Sequence, residues 1–336
     1  MRKIKIGIIG CGGISWGHAL RLRRNPHVEI AGFCDVVLDK AKALYSEIYG
    51  YTSRSKNMLY SDYKQMIDEA GLDAVCIFTP HTLHYPQIMY ALKRGLHVLS
   101  EKPLCCTVKE AKDIVEVSKR KDLVVLVSYQ RRFIENFIKA RDLVREKLGR
   151  LKFVTICLDQ NWKSIAKGTW RASKKLGYGG MFFDSGSHVV DILLWITGKK
   201  PEKVYAQVDC GDFEVDLYAL VTVELEDGVL ASLNICGNSP PGMYEIETFY
   251  GETGSAVRIE NGKTMFIDEN GNRIVFNTRS WLIEGSSPDD NFVNCVLGLE
   301  ENKSPAEDFL QVIALTEAAY KSSKEQRPVD IKEIYW

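Results

Sequence analysis

The chain has no C-x-x-C pair, no excess of either charge and no apolar run long enough to span a membrane, and each absence removes a class of function. Its nine cysteines are an odd number. Cys34, Cys76, Cys157 and Cys236 sit in apolar, strand-like runs, where cysteine behaves as a small hydrophobe. The neighbours Cys105 and Cys106 are poorly placed to bridge to each other. Neither a disulfide framework nor a zinc site or other metal is expected, and this usage fits a reduced, cytoplasmic protein. Lys and Arg number 44, as do Asp and Glu. No basic block disturbs that balance, so neither nucleic acid nor an anionic membrane is expected as a partner. No stretch approaches the roughly 18 apolar residues that mark a transmembrane helix. The start, MRKIKIGIIGCGG, is basic, but its apolar run is short, interrupted by charge and ended by glycines. That pattern predicts a first strand and not a signal peptide. Internal repeats and low-complexity segments are also missing.

What is present suffices for two domains with full cores: 336 residues, 45% hydrophobic and 26% charged. Residues 4–9 alternate and then run apolar, as a buried parallel strand does. Gly10-Cys11-Gly12-Gly13-Ile14-Ser15 follows, then a helical stretch from Trp16 to Arg24, then a strand over 28–34 that runs into Asp35. Strand, glycine turn, helix and a later acidic residue together make a dinucleotide-binding fingerprint. Gly10 permits the tight turn. Gly12 lets the backbone approach a pyrophosphate, which sits on the helix N-terminus where free N–H groups and the dipole favour an anion. Asp35 lies 23 residues past Gly12 (35 − 12), placed for the adenosine ribose hydroxyls. A carboxylate there repels a 2′-phosphate, and Val36, Val37 and Leu38 supply no arginine, so NAD is expected over NADP. The third fingerprint position is Ser15 instead of Gly or Ala, still small enough for close helix–strand packing.

Strands and helices go on alternating to about residue 130. Helices are expected over 62–70, 83–94 and 107–121, and strands over 74–78, 97–99 and 123–127. This rhythm predicts a parallel, doubly wound sheet in a first domain spanning 1–130, with ligands at the carboxyl ends of its strands. Asp35, the Thr79–His84 loop, Glu101-Lys102-Pro103 and Gln130–Arg132 all fall at such ends. A cis Lys102–Pro103 peptide is expected at that tight turn, since X–Pro bonds tolerate cis at a cost of only about 0.5–1 kcal/mol. Beyond 130 the pattern changes. A helix over 133–148 is followed by strand-like runs with hairpin turns between them, at 151–159, 204–209, 217–225, 229–236, 245–250, 255–260, 264–267 and 273–276. Helices over 289–301 and 304–324 close the chain. The second domain, 131–336, is therefore expected to hold a large, mostly antiparallel sheet, giving an α/β protein overall.

The stretch GGMFFDSGSHVVD, residues 179–191, sets Asp184 and His188 four apart, with Asp191 three further on. On one helix these share a stripe. A His beside a carboxylate that orients it is a general acid/base unit. The plainer reading is a capping Asp and a core His; Asp191 is read as structural.

Taken together, GCGGIS with Asp35, TPHTLH, EKP and GGMFFDSGSHVVD resemble the glucose–fructose oxidoreductase/inositol dehydrogenase (Gfo/Idh/MocA) family in order and spacing over essentially the whole chain. The resemblance implies a Rossmann domain followed by an α/β domain whose open sheet often forms an oligomer interface. It implies catalysis by Lys102, Asp184 and His188, and NAD contacts at Gly10, Gly12, Gly13, Ile14, Asp35, Thr79, Pro80, His84, Glu101 and Lys102.

The residue chemistry points the same way. Oxidising a secondary alcohol needs a hydride acceptor and a base for the hydroxyl proton. His188 suits the base, Asp184 the group that stabilises its imidazolium, and Lys102 the cation that favours a developing alkoxide. Substrate-binding candidates are these three with Asn161, Arg171 and Tyr244; amide, guanidinium and phenol groups suit a polyol or sugar, and Arg171 could instead hold a carboxylate or phosphate. An NAD-dependent dehydrogenase of a cyclic polyol or sugar is the first reading. The alternatives are a glycosidase that retains its NAD and oxidises the sugar transiently, a nucleotide-sugar dehydrogenase, and a dinucleotide-sensing regulator without catalysis. A homo-oligomer, dimer or tetramer, is expected through the C-terminal sheet, because a large apolar face left bare usually marks an interface.

Overall fold

The structure is a computed structural model that describes residues 3–50, 57–260, 262–283 and 285–335. The chain divides into two compact units.

The first unit holds six parallel strands: β1 Ile4–Ile9, β2 Val28–Cys34, β3 Leu59–Tyr60, β4 Ala74–Ile77, β5 His97–Ser100 and β6 Val125–Val127. Their order is β3-β2-β1-β4-β5-β6, so the chain runs outward from β1 to one edge, returns, and fills the other. This is the doubly wound order of a dinucleotide-binding fold. Central strands are buried on both faces, which is why β1 and β4 read as near-continuous apolar runs. The helix Leu38–Tyr49, not foreseen in the sequence, covers β2 with Ala41, Leu44 and Tyr45. The two-residue β3 is too short to show any period. The Lys102–Pro103 peptide is cis, as expected.

The unit is not a simple stretch of chain. It takes Met1–Cys105 and Glu110–Ser128, and then Ile283–Glu307 from far downstream. Within that return the helix Pro288–Val296 places Phe292 and Val293, both fully buried, in the core with Ile6, Ile8, Leu99 and Leu126. A single boundary near residue 130 misses this, because the pairing is settled by packing over a long sequence separation and not by any local pattern.

The second unit holds nine strands in the order β14-β13-β12-β11-β7-β10-β9-β8-β15. They are β7 Leu151–Gln160, β8 Pro201–Asp209, β9 Tyr218–Leu225, β10 Val229–Cys236, β11 Met243–Gly251, β12 Ala256–Glu260, β13 Lys263–Ile267, β14 Arg273–Phe276 and β15 Val329–Asp330. All pairings are antiparallel except β10 with β7. The helices Glu135–Glu146, Gly186–Thr197 and Phe309–Glu325 pack on one face. There Val221, Val223, Leu233 and Phe249 are buried. On the opposite face Leu220, Leu230, Phe153 and Tyr244 stay exposed, the period-two alternation of a sheet covered on one side. No helix among the described residues is long and apolar enough to cross a membrane, and all nine cysteines are free.

Candidate active site

Gly10 leaves β1 with φ of +89°, and a Cβ there would lie 2.6 Å from the Phe78 carbonyl oxygen, so only glycine fits the turn. Gly12 caps the helix Gly13–Arg24. A Cβ on Gly12 or Gly13 would meet nothing within 4 Å, so their outer side is open. The first helical turn has no acidic residue, and the cap makes no side-chain hydrogen bond, so the amide ends face an anion unopposed. Ile14, half exposed, sits on that turn. Ser15 is fully buried and donates from Oγ to the Gly12 carbonyl at 2.6 Å, which knits the turn where the usual fingerprint has glycine. Asp35, at the end of β2, accepts from the Cys11 N–H at 2.9 Å and the Val37 N–H at 2.8 Å. These bonds fix its carboxylate beside the glycine turn.

The loop after β4 and the turn after β5 are tied together by His84. Its Nδ1 lies 2.7 Å from the Pro103 carbonyl oxygen and its Nε2 2.8 Å from that of Thr79. Burial, with His81 close by, pushes the imidazole down to about 4, and a neutral ring donates its one N–H to only one of the two carbonyls. His84 had been expected to touch the cofactor. It is fully buried and both ring nitrogens face backbone, so it acts as a strut for the loops carrying Thr79, Pro80 and Glu101–Pro103. Thr79 Oγ1 donates to Gln87 at 2.7 Å.

Glu101 is clamped from within the unit. One carboxylate oxygen faces His18 Nε2 at 3.2 Å, and the other accepts the Lys102 N–H at 3.2 Å. The other nitrogen of His18, Nδ1, lies 2.7 Å from Asp289 Oδ1, and Arg21 donates to Asp289 Oδ2 at 2.6 Å. His18 therefore has a carboxylate on each nitrogen, and only an imidazolium can donate to both. Burial opposes that charge, but Asp289 and Glu101 outweigh it and raise His18 to about 9, while Asp289 and Glu101 are held below the usual carboxylate range. His18 also stacks on Phe78, ring centroids 4.4 Å apart.

The DxxxH stretch is not one unbroken helix. Met181–Asp184 forms a single turn, Ser185 a joint, and Gly186–Thr197 the long helix. The joint arises because Ser187 Oγ donates to the Asp184 carbonyl at 2.7 Å, while the His188 N–H donates to Ser185, three residues back. Asp216 anchors the start: its carboxylate accepts the Gly180 and Phe182 N–H groups at 2.7 Å each and the Tyr320 hydroxyl at 2.6 Å. A Cβ on Gly180 would fall 2.0 Å from the Asp216 carbonyl oxygen, so the second glycine of the pair is needed for this approach.

Asp184 is buried and accepts from Trp162 Nε1 at 2.9 Å and from Arg171 Nε at 3.0 Å. Arg171, lying 4.4 Å over the Trp170 ring, thus uses its Nε on a carboxylate of this chain. Asp191 is fully buried in a forked ion pair with Arg132, whose other arm reaches Asp308, so its role is structural.

His188 lines a cavity of about 540 Å³ on the covered face of the sheet, with Asn136, Gln160, Ser185, Glu245 and Glu247 among its walls. Two further expectations need correction here. Tyr244 lies between Met243 and Glu245, both of which line the cavity, so strand alternation puts it on the opposite, exposed face. Asn161 caps the short helix Trp162–Ala166, and its neighbour Gln160 lines the cavity.

Residues 4–129 match the model of the oxidoreductase family with an NAD-binding Rossmann fold, and residues 137–257 match the Gfo/Idh/MocA C-terminal domain. The chain belongs to the Gfo/Idh/MocA family. As a member of it the protein is an NAD-binding oxidoreductase, and the open Gly12–Gly13 shelf at an uncapped helix start fits the pyrophosphate of that cofactor. The chain is similar to myo-inositol 2-dehydrogenase of Thermotoga maritima, 25% identical with 98% of this chain and 99% of the relative covered. It is also similar to D-glucoside 3-dehydrogenase of Escherichia coli, 24% identical with 98% and 97% covered. The solved WlbA dehydrogenase of Bordetella pertussis, in complex with NADH and UDP-GlcNAcA, superposes with a TM-score of 0.83 over 98% of this chain and 99% of that one, at 24% identity.

Family membership leaves several structural groups unmarked. His18, Asp289, Asp216 and the Glu245–Glu247 pair appear in no motif. His18, on the apolar side of the first helix, was the only one with a local signal, and its partner lies 271 residues away.

Proposed function

We propose that this protein is an NAD-dependent dehydrogenase that oxidises a secondary hydroxyl of a cyclic polyol or sugar. The observation that carries the reading is the cavity at His188, whose walls alternate apolar side chains with Asn, Gln, Ser and carboxyl groups, as a ring bearing several hydroxyls requires. The curated relatives named for inositol and glucoside oxidation support the same class.

In this reading bound NAD supplies the hydride acceptor. His188 takes the hydroxyl proton. Asp184, held by Trp162 and Arg171, supplies the negative charge that favours a protonated ring. Lys102, held by the cis turn and by the clamped Glu101, presents a cation to the alkoxide oxygen. Asp35 binds the adenosine ribose and selects NAD over NADP. The nucleotide-sugar alternative would draw on Arg171, which uses Nε on Asp184 and keeps its side chain a third exposed.

The test is a panel of inositols, aldoses and nucleotide sugars incubated with NAD, following NADH absorbance. Accumulating NADH with one neutral polyol or sugar supports the proposal. Consumption of a glycoside without NADH would replace it with the NAD-retaining glycosidase, and NADH only with a nucleotide sugar would move the substrate class.

A further inference from the structure

We propose that the cavity on the covered face of the second unit's sheet takes a polyol bearing a cationic amino group, with the ammonium seated against Glu247. The proposal rests on the dehydrogenase reading for calling this cavity the substrate pocket, but its charge preference is read from the cavity walls alone.

Glu245 and Glu247 stand on the same face of β11, two residues apart, so their carboxyl groups are neighbours. Among the described residues, Arg131 is the guanidinium paired with them. It forks onto Glu245, with Nη2 at 2.6 Å and Nη1 at 2.5 Å, and lies 3.8 Å from Glu247. One cation thus stands against two carboxyls, Glu247 buried and Glu245 nearly so. Two carboxyls held this close and out of water favour keeping one proton between them. Burial and the Glu245 charge together push Glu247 well above the usual carboxylate range, which favours that proton. Among the described residues, the other titratable group lining the cavity is His188, from the long helix.

The remaining wall groups ask for a donor. Glu247 Oε1, Asn136 Oδ1 and Gln160 Oε1 are buried without a hydrogen-bond partner and all three line this cavity, while the unmatched donor beside them, Arg131 Nη1, is ion-paired with Glu245. Buried acceptors in this state are normally completed by water or by a bound group. A hydroxyl offers a single donor, whereas an ammonium offers three and a positive charge. An anionic sugar would meet three acceptors and a carboxyl pair, with Arg131 already matched by Glu245. Binding of the amine is then an exchange of cations: the O–H bond of the shared proton breaks, the proton leaves to solvent, and the ammonium pairs with the carboxylate so formed. Nothing is oxidised or reduced in that step.

The experiment is titration calorimetry of the NAD-loaded protein at pH 7 in two buffers of different ionisation enthalpy. The probes are an aminodeoxy-inositol and glucosamine, each against its neutral parent, with glucose 6-phosphate as the anion. At least one amine is expected to bind about ten-fold tighter than its parent, the range of one charge-assisted hydrogen bond. It should release up to one proton per ligand, the parents none, and the phosphate should bind weakest. Glu247→Gln keeps the shape without an exchangeable proton and should abolish both the preference and the release; should that variant not fold, the proton count on the unaltered protein decides. Equal affinities for amine and parent, binding without proton release, no binding of either amine, or a preference that survives Glu247→Gln each overturns the proposal. Amine binding with proton release but no NADH from any polyol would leave it standing and sink the dehydrogenase reading. Turnover of neutral polyols without an amine preference would do the reverse.

Discussion

His18, His84 and His188 are three buried imidazoles whose surroundings set three different tasks. Burial favours the neutral form of His84, set between two carbonyls, while His18 faces two carboxylates that favour its charge. Because His18 is raised to about 9 from an ordinary 6.5, its contribution to stability is complete below pH 6.5 and disappears as pH climbs to about 9. Thermal unfolding of the unaltered protein should thus lose midpoint over that window, and His18→Gln should flatten the decline. An equally steep decline in the variant would assign it to other groups. For His188, replacement by Ala should cost about 10²–10⁴-fold in kcat, the range for a positioned general base, with NAD affinity measured by fluorescence left unchanged. Wild-type turnover in that variant would reduce DxxxH to a packing motif. Asp35→Ser should narrow the preference for NAD, read as the ratio of kcat/KM for the two cofactors. Residues of this kind were legible because each sits in a short motif with a physical reason for its spacing. His18 with Asp289 was not, since a contact spanning 271 positions leaves no local trace.

At the scale of elements, the glycine pair before the DxxxH segment is a docking notch for Asp216. The carboxylate of Asp216 takes two helix-start N–H groups and a phenol, so Asp216→Asn should destabilise by about 1–3 kcal/mol, the cost of weakening buried hydrogen bonds to a charge. Gly180→Ala should be at least as harmful, because its Cβ would overlap backbone that has nowhere to move. Denaturant midpoints of the two variants check both statements, and an unchanged midpoint for Gly180→Ala would mean the segment can shift. The sequence pattern located the longer strands and, apart from Leu38–Tyr49, the longer helices, because apolar periodicity and turn residues are local. It missed the joint at Ser185, where a single side-chain hydrogen bond to the Asp184 carbonyl redirects the ladder. It also missed the parallel pairing of β10 with β7, since the pattern along a strand says which face is buried and not which neighbour lies beside it.

At the scale of the molecule, the second unit's sheet is covered on one face only. Leu220 and Leu230 are each more than half exposed, and Phe153 and Tyr244 extend the same bare side. A patch of this kind on a large sheet marks an interface, so a homo-oligomer through this face remains our expectation. Light scattering at micromolar concentration should give a multiple of the chain mass, and Leu220→Asp with Leu230→Asp should reduce it to one. A monomer before substitution would rule this out.

The return of Ile283–Glu307 to the first unit also has a consequence for synthesis. When Ser128 leaves the ribosome, every strand of the first sheet has been made, but Asp289, Phe292 and Val293 have not. Some 165 residues (293 − 128) must still be translated, about 8–33 s at 5–20 residues per second. Through that interval the nascent first sheet has a gap in its core, and His18 has one carboxylate where it will later have two. The nucleotide-binding half, though first in the sequence, is completed only after the whole of the C-terminal sheet except its last short strand has been made.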